Sequence, residues 1–295
     1  MLRAFLNFFI FSSVYIALCA LLMIWQTDTI LGLHWDCQSY FDYFNYYAFV
    51  FFSTICSYNF HWYLTPADYS TSERILWGAR HKPLQLALCA IGGIGALYFA
   101  WLLKAHWLPL SGGAVLTFLY SAPKLPQRAF VWLRKIAIGK TVFLTFVWMY
   151  VTTVLPALIS CSPITPAVIY FSLHRFFLIY AICILFDYRD VESDKQQGIR
   201  SLITWLPANQ LFRIYYFSLL LAAVTALLLL AHTTVMVVGT LLAPVIITAL
   251  LTRNARSNRS DYMYYFVLDG LMMLSALLHL ILAVFTNDYF AIFAR

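Results

Sequence analysis

Long apolar runs separated by short polar ones dominate this chain, and the polar stretches alternate between sparse and strongly basic. Nine runs approach the length a helix needs, at about 1.5 Å per residue, to cross ~30 Å of hydrocarbon. They lie at about 4–25, 40–58, 84–103, 107–120, 138–158, 166–186, 211–230, 234–251 and 262–285. The pattern predicts an all-α, polytopic membrane protein: a nine-transmembrane-helix bundle forming a single integral membrane domain over residues 1–295. The fourth run is short, and Gly112–Gly113 weakens it. The first starts close to Met1 with neither an extended basic leader nor a small-residue cleavage site. It is read as a retained helix, not a removed signal peptide.

Composition strengthens that reading. The 295 residues are 63% hydrophobic and 11% charged, against about 25% charge in a soluble domain. The distribution of the charge then sets an orientation. With nine spans, sixteen of the 19 basic residues fall on the side of the N-terminus, leaving Lys104, Arg175 and Arg295. The positive-inside bias predicts a cytoplasmic N-terminus and an external C-terminus, in a bacterial plasma (inner) membrane. The net charge of +7 is thereby a topology signal, and no nucleic-acid-binding module is present. Six cysteines are scattered singly, without metal spacing. Cys37 and Cys161 fall on the external side, where a disulfide is conceivable.

The basic side also carries the chemistry. Asp187, Asp190 and Asp194 fall within about 60° of one another on a helix, while Glu192 points elsewhere. Only 12 residues in the chain are acidic, so three on one stripe at a bilayer boundary stand out. Clustered carboxylates suit Mg²⁺, which takes hard oxygen ligands and shares them with substrate phosphates. The plain alternative is a solvated helix end. Two charges lie inside spans, Arg175 and Asp269. Each needs a partner at that depth, and they are expected to serve one another. His174, His232 and His279 are single and are read as packing residues.

The run from Asp187 to Leu202, Asp-Tyr-Arg-Asp-Val-Glu-Ser-Asp-Lys-Gln-Gln-Gly-Ile-Arg-Ser-Leu, resembles the second aspartate-rich motif of the UbiA superfamily of intramembrane prenyltransferases. The resemblance covers about fifteen residues by motif and most of the chain by architecture. The family's first motif, which follows its second helix, matches less well. Asn59 takes the place of its leading Asn, but Phe60, Tyr63 and Ala67 stand where aspartates are expected. His81-Lys82-Pro83-Leu84 resembles the segment that opens the third helix, with Lys82 in the place of a phosphate-binding Arg. Tyr120-Ser121-Ala122-Pro123-Lys124 resembles the Y-S-x-x-K after the fourth helix.

The resemblance implies a Mg²⁺-dependent transfer of an isoprenoid chain from a prenyl diphosphate to an aromatic or other hydrophobic acceptor within the membrane. It assigns catalysis and the metal to Asp187, Asp190 and Asp194. Asn59, Arg80, Lys82, Tyr120, Lys124 and Lys195 are expected to bind substrate, with Arg74 also on the helix-two side. Aromatic residues near the second helix (Tyr43, Phe44, Tyr46, Tyr47, Tyr58 and Trp62) could line the chamber, though packing explains most such rings. The degenerate first motif keeps a second function open: a catalytically inactive UbiA-like protein binding an isoprenoid lipid or quinone. A transporter is a third, but internally repeated halves are not found.

Overall fold

The computed structural model of the chain describes residues 2–35, 41–65, 72–121, 139–196, 204 and 206–285. Among these, every regular element is helical. The first predicted span is in fact two helices, α1 (Leu2–Phe11) and α2 (Val14–Leu31). The chain breaks at Ser12–Ser13, where Ser13 adopts a left-handed φ of 71°. Ser12 and Ser13 are buried and tied from outside: the Ser12 carbonyl accepts from Asn59 and the Ser13 hydroxyl from Arg74. α1, with ten residues, reaches only about 15 Å and is too short to span. α2 ends at Gly32, whose left-handed φ of 58° lets its N–H return to the Asp28 carbonyl.

Next come α3 (Asp42–Tyr63), the short α4 (Glu73–Arg80) and α5 (Lys82–Leu102). α3 packs tightly along α5 because Gly92 and Gly95 present no side chain. A Cβ on Gly92 would lie 2.6 Å from the Cys56 backbone nitrogen, and one on Gly95 would lie 2.5 Å from the Phe52 ring. α6 (Trp107–Ser121) follows, then α7 (Gly139–Met149), a π-helical turn at Tyr150–Val154 and α8 (Leu155–Ile159), which run on as one helix. α9 (Pro166–Gln196) has 31 residues. α10 (Ala208–Leu228) and α11 (Val235–Ser257) lead to a second π-helical stretch, Met263–Leu268, that opens α12 (Asp269–Phe285).

Among the described residues, seven helical stretches are long and apolar enough to cross a membrane. α3 and α6, at the second and fourth predicted spans, fall outside that set. α3 carries Asp42, Asn45, Asn59 and His61, and α6 has only 15 residues. α9 is the central helix: 67% of its apolar window is buried, against 11% for α5. At about 47 Å it also outreaches the hydrocarbon, which carries its last turns, with the aspartates, to one end of the bundle.

Arg175 does not pair with Asp269. From mid-α9 it donates to the Met23 carbonyl (2.5 Å) and Gln26 (3.1 Å) on α2, to Thr27 (2.6 Å), and to the Thr152 carbonyl (2.6 Å). Its guanidinium also lies 4.4 Å from the centre of the Phe171 ring. Thr152 belongs to the first π-helical turn, where the wider spacing frees backbone carbonyls for such donors. Tyr46 uses the neighbouring Val151 carbonyl in the same way, at 2.5 Å.

Candidate functional site

At the aspartate end, Asp187 is buried and accepts a hydrogen bond from the Thr141 hydroxyl at the start of α7. One turn further on, Asp190 is held by its neighbour Arg189, with Nε to Oδ1 at 2.7 Å and Nη2 to Oδ2 at 3.3 Å. The Asp190 side chain is 34% exposed. The side chain of Asp194 lies outside the described residues, and Lys195 is exposed.

Arg189 reaches further than the motif. It donates to the Tyr265 hydroxyl at 2.6 Å and lies 3.5 Å from Asp261, with its guanidinium 4.4 Å from the Tyr264 ring centre. The other oxygen of Asp261 accepts from the Ser72 hydroxyl (2.9 Å) and the Arg74 backbone N–H (2.8 Å). That carboxylate therefore serves the positive N-terminal end of α4, beside the Ser72 cap. The Arg74 side chain turns inward. It donates to the Ile10 carbonyl (3.0 Å) and the Ser13 hydroxyl (3.2 Å), with Trp62 4.3 Å and Tyr265 4.9 Å from its guanidinium. Burial pushes the Arg74 guanidinium below its ordinary pKa, and Tyr265, Asp269 and Asp261 oppose that shift. Two arginines and two aspartates thus knit α1, α4, α9 and the turn before α12 into one neutral network.

This placement revises the helix-two side. Arg74 was expected to reach phosphate, but its guanidinium is committed to the α1–α2 break and to aromatic faces. Arg80 and Lys82 remain exposed, with Lys82 Nζ 6.0 Å from the Tyr63 ring centre. Phe60 and Tyr63, in the place of first-motif aspartates, are both exposed at the end of α3. Asn59 is fully buried. Its amide donates to the carbonyls of Ser12 (2.9 Å) and Ile55 (2.8 Å), while its Oδ1 has no partner among the described residues. Ala67, Lys124 and the side chain of Tyr120 lie outside the described residues.

Of the aromatic candidates, Phe44 faces outward and Trp62 stacks under Arg74. Tyr43 and Tyr47 sit 4.5 Å apart, centre to centre, and the Trp148 indole N–H donates to the Tyr58 hydroxyl at 3.0 Å. These four rings belong to the main apolar core or pack against it. Among the described residues no three His, Cys, Asp or Glu side chains converge on a point where a metal could sit. Asp187 and Asp190 alone still suit a Mg²⁺ that draws its other ligands from water and a diphosphate. Sequence reasoning missed Thr141, Arg189 and Asp261. A Ser-Asp pair opening an apolar run was the available signal for Asp261, which instead reads as part of a connector.

The described helices define an integral membrane bundle with carboxylates at one mouth. In solved structures this architecture recurs in the apo structure of a UbiA homolog from Aeropyrum pernix K1. That chain aligns with a TM-score of 0.66 at 12% identity, over 90% of this chain and 97% of its own. A second structure, reported for digeranylgeranylglyceryl phosphate synthase in membranes, aligns with a TM-score of 0.58 at 14% identity, over 94% and 98%. No protein-family model and no curated protein sequence matches the chain. The fold is that of the UbiA superfamily, as the aspartate motif led us to expect.

Proposed function

We propose that the protein is a Mg²⁺-dependent intramembrane prenyltransferase that moves an isoprenoid chain from a prenyl diphosphate to an aromatic or other hydrophobic acceptor. The observation that carries this reading is the pair Asp187 and Asp190, a turn apart at the end of the buried central helix of a UbiA-type bundle. Asp187, oriented by Thr141, and Asp190, partly open to solvent, would hold the metal together with Asp194. Mg²⁺ there would offset the negative charge that grows on the departing diphosphate. Lys82 and Arg80, exposed across the mouth, meet the remaining phosphate oxygens as point charge and fork. Lys195, Tyr120 and Lys124 complete the phosphate side in this reading. Tyr58 and Trp148 offer ring faces to a developing allylic cation, and the surrounding bundle excludes the water that would quench it.

A second reading has its own support. Arg189 occupies both oxygens of Asp190, and Phe60 and Tyr63 replace carboxylates, as suits a catalytically inactive protein that binds an isoprenoid lipid or quinone. Radiolabelled prenyl diphosphates and a panel of acceptors, with and without Mg²⁺, separate the two. Mg²⁺-dependent product that disappears in Asp190→Asn supports the transferase. Retention of an isoprenoid with no transfer under any condition supports the binder.

For topology we infer nine spans, with α3 and α6 included, the N-terminus in the cytoplasm and the C-terminus outside. The basic asymmetry supports this orientation, and so does chemistry at the other end. Cys161, at the end of the bundle opposite the aspartates, is disulfide-bonded, and such bonds persist in oxidising compartments.

A further inference from the structure

Beside the aspartate motif, α9, α10 and α11 enclose a half-open cavity of about 420 Å³. That size falls in the range of small-ligand sites, roughly 300–1,000 Å³. Tyr188, Tyr216, Thr252, Arg253, Arg256 and Leu250 contribute to its lining. Its charge is one-sided. Three other arginines near this end have carboxylates: Arg3 with Glu73 at 2.7 Å, Arg189 with Asp190 at 2.7 Å, Arg259 with Glu192 at 2.8 Å. Arg253 and Arg256 have none among the described residues, and no acidic residue among these lines the cavity.

Arg256 is not a loose surface cation. Its guanidinium sits 4.4 Å from the Phe212 ring centre and 5.9 Å from that of Tyr188, and those two rings meet edge to face at 5.3 Å. An aromatic shelf of this kind fixes the guanidinium plane and leaves its N–H edge for an acceptor. Positive-inside anchoring and the helix C-terminus account for basic residues at this level. They do not require two of them to face one cavity without counter-charge. The cavity's rim is apolar and outward-facing: Leu250 is 75% exposed and Tyr216 52%, on helices that cross the membrane.

We propose that this cavity is a binding site for the phosphate headgroup of an anionic membrane phospholipid, held by Arg253 and Arg256, with its acyl chains along the exposed faces of α10 and α11. The inference is independent of prenyl transfer, because none of these residues belongs to the proposed catalytic set. Basic pockets between spans near the membrane surface bind anionic headgroups by this chemistry.

The test uses the full chain purified in detergent, incubated with an equimolar mixture of phosphatidylglycerol and phosphatidylcholine, with co-purifying lipid counted by native mass spectrometry. The wild type should retain phosphatidylglycerol preferentially. Arg253→Gln with Arg256→Gln should lower that preference by about tenfold or more, from the contribution of two surface cations. Arg259→Gln, whose arginine is paired with Glu192, should leave it unchanged. Arg256→Lys, which keeps the charge and loses the planar fork, should fall between and serves if the double variant fails to fold. Equal retention of the two lipids by the wild type, or unchanged preference in both the double variant and Arg256→Lys, overturns the proposal. So does complete displacement of phosphatidylglycerol by millimolar inorganic phosphate, which would make this a site for free phosphate.

Discussion

Asp190 sits between two demands. Its carboxylate is the central one of the motif, yet Arg189 already holds both of its oxygens. Removing Arg189 separates structure from chemistry. Arg189→Ala should lower stability by roughly 3 kcal/mol, the low end for breaking a buried pair, because Asp190 is a third exposed. The check is thermal or denaturant unfolding in detergent. The same variant should bind Mg²⁺ in the presence of a prenyl diphosphate more tightly than wild type, since a competing cation has gone. Weaker binding by a folded Arg189→Ala would show that Arg189 itself touches the diphosphate. On the opposite lip, Lys82→Ala should weaken diphosphate binding by ~1.5–3 kcal/mol, the range for a hydrogen bond to a charged group. Should Lys82→Ala and Arg80→Ala both bind normally in calorimetry, the helix-two half of the site is vestigial and the binder reading moves ahead.

At the scale of elements, close approach and irregular helix matter more than hydrophobicity. α3 and α5 touch through Gly92, where an added methyl meets backbone and not a movable side chain. Gly92→Ala should destabilise the bundle by about 1–3 kcal/mol, as overpacking does. Gly239, on α11, has nothing within 4 Å of its would-be Cβ. Gly239→Ala should instead raise stability by roughly 0.5–1 kcal/mol, through lower backbone entropy alone. Opposite signs in one unfolding assay test whether packing or propensity governs each site. The π-helical turn at Tyr150–Val154 makes a related point. One of its carbonyls, on Thr152, joins acceptors on α2 in satisfying the Arg175 guanidinium in mid-bundle. Arg175→Lys keeps the charge but cannot reproduce a planar fork that reaches Met23, Gln26, Thr27 and Thr152 together. It should destabilise almost as much as Arg175→Met.

For the whole molecule, the two ends of the bundle differ in chemistry. One gathers carboxylates and exposed cations, and the other carries the disulfide-bonded Cys161. Alkaline phosphatase fused after Arg295 should be active, and a fusion within 72–80 inactive, if the C-terminus is outside and α4 inside. Activity reversed between the two fusions would refute the orientation.

How much of this was legible in the sequence follows from what each signal depends on. The apolar runs, the all-helical class and the position of the Asp187–Asp190 turn came from periodicity and composition, because a bilayer imposes one hydrophobic length on every span. The resemblance of the aspartate motif pointed to the UbiA fold for the same reason: its spacing is local. Local pattern misjudged the start of the chain, where 4–25 reads as one apolar run but breaks at Ser12–Ser13. The break is held by Asn59 and Arg74, which lie far along the sequence. Partners also escaped it. Arg175 and Asp269 look like a pair because each is a charge needing an opposite, yet Arg175 is satisfied by acceptors on α2 and by a carbonyl of the π-helical turn. The role of Asp261, and the loss of Arg74 from the phosphate side, were likewise decided by tertiary contact. Sequence alone determined the long apolar helices and the place of Asp187 and Asp190 at a helix end. The folded bundle decided which charges meet, because charge pairing in a low-dielectric interior depends on distances of a few ångströms between helices that the sequence places far apart.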